Sequence, residues 1–487
     1  MNSKEETLLN ARIVPPVAEL TFVSEAILRL ANGTPFTIKG GNTDDVVEDA
    51  RRQWGITPKV KTLPPDDSLK PEAYEIEINP DGVIIGGSAP TAVRHAMKTL
   101  RQLAETERGV AKSSYYFLPS VRIKDKPKLA FRGIHFCWFP ETPAWEIEKQ
   151  IRLAAYYKFN HIVLESWGVF RLKSFPEFIW EEFAVEQDEV RRLVKLADDL
   201  GVTIFPQVNL FGHASASRTA GGKHALLDFH PEYAPLFEPD GWTWCISNPE
   251  TRKYLTDIVV EMHELFGNPP FFHIGCDEAF NAGSCTSCRR ADYTALLKDH
   301  LLYFFDLLKQ RGARPLMWHD MLVAREDERW KGYTAFGRRE GGMDELYREL
   351  PKDILICDWQ YGYPENDGQP PEWPTLKFFK ENGFDVLACP WLDQKGIASL
   401  GEFAVCEGLS GMLETTWNFN HAGHMQSLFY SSARAAWGAP HQEQPGIRYF
   451  EFLNRHLREV GHDMGNDKYL QTGRISYQIN PHDYVQV

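Results

Sequence analysis

The run "FFHIGCDEAF", Phe271 to Phe280, ends on two adjacent carboxylates, Asp277 and Glu278. A carboxyl group acts as a general acid while protonated and as a base or electrostatic stabiliser once ionised, so a pair aimed at one ligand can divide those roles. The plainer alternative is that one of the two caps a helix or pairs with a surface base. In a regular strand successive side chains point to opposite faces, so His273, Gly275 and Asp277 share one face and Glu278 lies on the other. Both carboxylates reach a common ligand only if the strand stops there.

The pair needs a frame. Phe271, Phe272 and Ile274 form an apolar run behind the breaker "GNPP", which predicts a buried strand over 271–278. Seven further runs read as strands, at 130–138, 161–166, 203–209, 314–320, 354–361, 385–391 and 411–417. Between them lie helical stretches such as "WEIEKQIRLAAYYKF", "DEVRRLVKLADDLG" and "DYTALLKDHLLYFFDLLKQRG", the last two closing on Gly. Eight strands alternating with helices predict an α/β fold, a (β/α)8 TIM barrel. The region exceeds the roughly 250 residues of a minimal barrel, and the excess falls in loops after strands, the longest at Leu210 to Ser247. Chemistry in such barrels collects at the C-terminal strand ends. There the sequence puts His135, Glu165, Asn209, Asp277, Glu278, Trp318 to Asp320, Trp359, Trp391 and Trp417.

Upstream, "YEIEI", an Asn-Pro-Asp-Gly turn and "VII" predict a hairpin, followed by a helix with Val93, Met97, Leu100 and Leu103 on one face. This makes a small α+β domain over 1–125, leaving 126–487 for the barrel and its C-terminal helices. A net charge of −14 with no extended Lys/Arg cluster argues against nucleic acid and anionic membranes as partners and leaves neutral small molecules open. No apolar run is long enough to span a bilayer, and "MNSKEETLLN" lacks a signal-peptide layout, so the expected location is cytoplasmic. Eight cysteines in so long a chain do not read as a disulfide framework. Cys285 and Cys288 form a Cys-x-x-Cys, but no second pair completes four ligands, so no metal and no cofactor is expected and the motif reads as part of a stabilised loop.

Glycoside hydrolysis needs an acid for the leaving oxygen and an anion to support the oxocarbenium-like carbon, usually two separated carboxylates. An adjacent pair points instead to a nucleophile carried by the substrate. "HIGCDE" resembles the His-x-Gly-x-Asp-Glu motif of glycoside hydrolase family 20, the β-N-acetylhexosaminidases. "FRG" at 131–133, "AAYYKFN", "IFPQVNLFGHA", "RGARPLMWHDML" and "SSARAAWG" are similar to that family's successive barrel segments, and the N-terminal hairpin and helix to its small accessory domain. The resemblance covers most of the chain. It implies an exo-acting retaining enzyme on glycans with a terminal β-N-acetylhexosamine. In it, Glu278 is the acid and later the base, and Asp277 orients the 2-acetamido group whose oxygen attacks the anomeric carbon to give an oxazolinium intermediate. It further implies that Arg132 binds the sugar's 3- and 4-hydroxyls, that His213 and His273 support the acid, and that Trp318, Trp359 and Trp417 wall the pocket, with Trp391 and Asn209 as further substrate-binding candidates.

The departures from that pattern are specific. Asn209 stands where the family usually has Asp, weakening any charge relay, and "HIVLESWGVF" lacks the usual His-x-x-Asp-Asp loop. Trp417-Asn418-Phe419 replaces Trp-x-Glu, and the Tyr expected after strand seven is missing, leaving Tyr361 as the substitute that holds the acetamido oxygen. These changes resemble the hexosaminidase D branch and imply a preference for β-GalNAc over β-GlcNAc. Two alternatives stay open: a two-carboxylate glycosidase pairing Glu278 with Glu165 or Glu414, and a non-catalytic sugar-binding barrel. The stretch "GIRYFEFLNRHLREVG" is a candidate homodimer interface, although such helices more often pack on their own barrel.

Overall fold

The computed structural model describes residues 3–106, 115–217, 223–364, 369–417 and 422–439; Asn418, Phe419 and the candidate interface at 446–461 lie outside them. The chain divides into two units. The first comprises the residues up to Ala130 together with Arg152–Lys158 and the last described helix, Ala422–Trp437; the second runs from Phe131 to Ile151 and from Phe159 to Asn420.

The first unit is built on seven strands: β1 (Glu19–Leu30), β2 (Pro35–Lys39), β3 (Lys59–Leu63), β4 (Tyr74–Asn79), β5 (Gly82–Gly87), β6 (Glu105–Thr106) and β7 (Tyr116–Asp125). They form one sheet in the order β1-β7-β4-β5-β2-β3, with β6 on β7. The alternation of "YEIEIN" buries Tyr74, Ile76 and Ile78 on one face of β4, as the two-residue period requires. The helix Pro90–Leu103 lays Val93, Met97, Leu100 and Leu103 into the same core. A buried polar knot sits within this unit: Lys158 Nζ lies 3.4 Å from Asp125 Oδ2, Tyr74 donates to that oxygen at 2.5 Å, and the Trp437 indole donates to Oδ1 at 3.0 Å. Each polar group in the knot finds a partner, as burial demands.

The second unit is a closed barrel of eight parallel strands: β8 (Phe131–Trp138), β9 (His161–Ser166), β10 (Thr203–Gln207), β11 (Phe271–His273), β12 (Arg314–Trp318), β13 (Leu355–Trp359), β14 (Asp385–Cys389) and β15 (Gly411–Glu414). Closure comes from β15 pairing with β8, Leu413 opposite Gly133. Side chains that alternate inward, including Phe131, Val163, Phe205, Leu316, Leu355, Leu387 and Leu413, fill the interior, so the barrel is a packed core and its function is confined to the mouth. Among the described residues no helix is long and apolar enough to cross a membrane.

One strand departs from its expected span. The run predicted as strand over 271–278 is regular only to His273, because Gly275, Cys276 and Glu278 have φ of 64°, 76° and 50°. Its ladder still reaches Gly275, whose carbonyl accepts from Trp318 N at 3.0 Å. Beyond that point the chain turns left-handed, a conformation that Cys and Glu rarely adopt.

Candidate active site

The left-handed turn corrects the expectation that Asp277 and Glu278 point to opposite faces. A Cβ on Gly275 would stand 2.1 Å from Asn209 Oδ1, so only glycine lets the turn press against the end of β10. Beyond the turn both carboxylates meet one imidazole: His213 Nε2 lies 3.2 Å from Asp277 Oδ2 and 3.2 Å from Glu278 Oε2. Their exposures differ. Asp277 is 4% exposed, whereas the Glu278 side chain is 30% exposed, so Glu278 is the member of the pair that faces solvent.

Burial alone would push the His213 pKa down, but the charges and hydrogen bonds of Asp277 and Glu278 together hold it well above the usual histidine range. Burial raises the Asp277 carboxyl, with Glu278 and Glu165 adding to it and the charge of His213 opposing. One Asp277 oxygen, Oδ1, has no hydrogen-bond partner among the described residues. The site therefore presents a buried carboxyl with a spare acceptor beside an exposed one.

Behind the pair lies a second polar layer. Glu165, at the end of β9, lies 3.0 Å from His135 Nε2 and accepts from Asn209 Nδ2 at 2.5 Å. Burial pushes the Glu165 carboxyl up, but His135, the charge of His213 and the Asn209 amide outweigh it and hold it low. Glu165 thus sets a negative charge near His213 from the end of β9. His273 is held well below the usual histidine range by burial and by His135, and its Nδ1 accepts from the Gly275 amide at 3.0 Å.

The remaining wall is aromatic. His273 packs tilted against Trp318 at 4.4 Å, Trp318 and His135 contact Trp417 at 5.6 and 4.6 Å, and the Trp417 indole donates to the Tyr361 hydroxyl. Tyr361 stands between Trp359 at 4.9 Å and Trp391 at 5.1 Å. Its hydroxyl accepts from the Trp417 indole and also meets the Thr415 side chain.

Of the residues singled out from sequence, the structure gathers Asp277, Glu278, His213, His273, Asn209, Trp318, Trp359, Tyr361, Trp391 and Trp417. Arg132 is the exception. It alternates with Phe131 and Gly133, which face the barrel interior, so it lies on the outer face near the start of β8 and not at the mouth. Two residues that sequence reasoning left without a role hold the main chain of Glu278. Asp320 accepts the Glu278 amide at 3.0 Å and the Trp359 indole at 3.0 Å, its own carboxyl pushed well up by burial and by Asp277. Trp242 donates to the Glu278 carbonyl at 2.9 Å and packs on His213 at 4.4 Å. Their sequence signals were "WHD" at a strand end and "GWTWC" in the longest loop.

A closed parallel barrel with carboxylates, a charged histidine and an aromatic wall at its C-terminal mouth defines a TIM-barrel hydrolase in layout. The chain belongs to glycoside hydrolase family 20. The model of that family's catalytic domain matches residues 145–368, and the model of its domain 2 matches residues 21–126. Among curated proteins, the β-hexosaminidase of Akkermansia muciniphila is 26% identical over 359 residues, 64% of this chain and 68% of that one. The β-hexosaminidase of Porphyromonas gingivalis is 27% identical over 292 residues, 52% of this chain and only 36% of that longer protein. In fold, the family 20 exo-β-N-acetylglucosaminidase of Vibrio harveyi superposes with a TM-score of 0.69 at 16% identity, covering 93% of this chain and 77% of that one. The β-N-acetylhexosaminidase of Bacteroides fragilis gives 0.67 at 17% identity, covering 93% and 99%.

Proposed function

We propose that this protein is an exo-acting retaining β-N-acetylhexosaminidase of the hexosaminidase D-like kind, removing terminal β-GalNAc in preference to β-GlcNAc by substrate-assisted catalysis. The observation that carries the reading is the convergence of one buried and one exposed carboxyl on a single imidazole. Glu278, the exposed member, protonates the glycosidic oxygen and later takes a proton from water. Asp277, with Oδ1 unpartnered, accepts the acetamido N–H and steadies the positive charge that grows on that nitrogen. The Tyr361 hydroxyl donates to the acetamido oxygen as it closes on the anomeric carbon. His213 links the two carboxyls, so that a proton lost by one is felt by the other.

The placement of the other acids weighs against the two-carboxylate alternative. Glu414 follows inward-facing Leu413 and so points out of the barrel, while Glu165 is committed to His135 and Asn209. The GalNAc preference rests on the replacement of Trp-x-Glu by Trp417-Asn418-Phe419. The cysteines, all unbridged, support a reducing, cytoplasmic location.

The test is the initial rate of hydrolysis of nitrophenyl β-GalNAc, β-GlcNAc and β-galactoside by the wild type, Asp277→Asn and Glu278→Gln. We expect turnover of the two acetamido sugars only, faster for GalNAc, and collapse in both variants. Hydrolysis of the plain galactoside, or full activity without Asp277, would overturn the mechanism; equal or faster turnover of GlcNAc would overturn the branch.

A further inference from the structure

Cys285 and Cys288 lie on the loop that follows Glu278, and the structure brings two more side chains to them from the loop after β10. Cys245 Sγ stands 3.6 Å from Cys285 Sγ and 3.8 Å from Cys288 Sγ. Ligand atoms of Glu238, Cys245, Cys285 and Cys288 all fall within 4.8 Å of one another. Sulfurs on a tetrahedron around zinc, with bonds of about 2.3 Å, stand roughly 3.8 Å apart. A disulfide needs an S–S bond of about 2.05 Å, so the three sulfurs are spaced for a shared ion. The expectation that the Cys-x-x-Cys lacks further ligands fails because the partners come from 40 and 47 residues upstream, beyond any local motif.

Charge points the same way. Glu238 is 1% exposed, and its partners are the Cys285 amide at 2.6 Å, the Ser284 hydroxyl at 3.2 Å and the Gly283 amide at 3.3 Å. None of these is a cation, which leaves the carboxylate free to face one. The cysteines are also dressed as ligands. The Cys288 amide donates to Cys285 Sγ at 3.3 Å, and Ser247 Oγ lies 3.1 Å from Cys288 Sγ and 3.3 Å from Cys245 Sγ. Such outer contacts orient ligands.

We propose that Glu238, Cys245, Cys285 and Cys288 form a structural zinc site. The ion takes four protein ligands in a closed tetrahedron, with no position for substrate, and binding releases the thiol protons to solvent. Its role is to staple two loops. The one after β10 carries His213 and Trp242, and the one after β11 carries Asp277 and Glu278. They also meet where Trp242 holds the Glu278 carbonyl and where Asn281 Nδ2 donates to Asp240 Oδ2 at 2.6 Å.

The full chain is expressed with zinc in the medium, purified reduced and without chelator, and its metal measured by plasma mass spectrometry. We expect about one zinc per chain. Titrating the thiols with a mercurial should release it to a chromogenic chelator, and a chelator should lower the Tm in a way that added zinc reverses. Cys245→Ser with Cys285→Ser should abolish stoichiometric zinc. Should that double variant fail to fold, cobalt replaces zinc in the wild type, where thiolate-to-cobalt charge transfer and intense tetrahedral ligand-field bands are expected. Less than about a tenth of an equivalent after reduced wild type is reconstituted with zinc would overturn the proposal. So would unchanged zinc in a folded double variant, cobalt spectra without thiolate bands, or a disulfide at Cys245 in the isolated protein.

Discussion

Replacing Gly212 by alanine tests whether the two loops of the site are held as closely as the geometry requires. Its backbone is ordinary, so the question is one of space. A methyl group there would lie 1.9 Å from the Asp277 carbonyl oxygen and 3.1 Å from the Ala279 amide nitrogen. Non-bonded contacts settle near 3.5 Å, so the loops must part by about 1.5 Å. Gly212 precedes His213, and the displaced group is Asp277 itself. Both 3.2 Å contacts of His213 Nε2 would therefore open past hydrogen-bond range. Misplacement of a reacting group by about 1 Å costs on the order of 10²-fold in rate, and overpacking costs about 1–3 kcal/mol of stability. The assay is kcat/KM on nitrophenyl β-GlcNAc and β-GalNAc beside the Tm. The control is Gly86→Ala, whose added carbon meets nothing nearer than Glu75 Cβ at 3.8 Å. A folded Gly212→Ala variant within about threefold of wild-type activity would refute the reasoning.

Three further expectations follow from the same contacts. Asn209→Asp, although it installs the family's usual residue, places a second carboxylate against the buried Glu165; stability should fall by about 2–4 kcal/mol at neutral pH and recover toward pH 5, and urea melts showing no loss at neutral pH would rule this out. Because the folded pKa of His213 is raised, its contribution to stability is complete below the free histidine value of about 6.5 and is lost as pH rises through the folded value. Above about pH 6.5 the wild-type Tm should accordingly fall more steeply than that of His213→Gln, and parallel slopes would count against the charged imidazole. Asp320→Ala leaves the Glu278 amide without its acceptor and should lower kcat by about 10–10²-fold with KM little changed; an effect confined to KM would place Asp320 elsewhere.

The barrel was legible because its strands announce themselves locally. "HIVLES" became β9 residue for residue, and the other apolar runs contain the observed strands, all but the first of them trimmed where they meet the mouth. The one element misread in kind was the most informative. Ile274 and Cys276 have strand propensity, so "HIGCDE" reads as extended, yet the chain turns left-handed from Gly275, where only glycine fits against Asn209. Tertiary contact overrode propensity there. Arg132 illustrates a different loss: "FRG" marks a strand but not its facing, and one step of register exchanges interior for exterior. Asp320 and Trp242 were visible as residues but not as partners, since they reach Glu278 from 42 and 36 residues away. The same distance concealed Cys245 and Glu238 from their Cys-x-x-Cys.

The departure from the strand is itself what makes adjacent carboxylates useful. On a straight strand Asp277 and Glu278 would diverge; on the left-handed turn they converge, at a cost of about 1–3 kcal/mol for each non-glycine residue held at positive φ. That conformation persists only if its surroundings over-determine it. For Glu278 they do, because Asp320 holds its amide and Trp242 holds its carbonyl, from the loops on either side of its own. Neither anchor is a strand residue. The precision of the acid therefore depends on how firmly the loops after β10, β11 and β12 are fixed to one another, more than on the barrel beneath them. Charge adds a second constraint. Two carboxyls cannot both sit ionised at one imidazole without mutual repulsion, and His213, held protonated, is the group that makes their proximity tolerable. Strain in the main chain and charge on the imidazole thus solve the same problem from opposite sides: one brings the acids together and the other keeps them there.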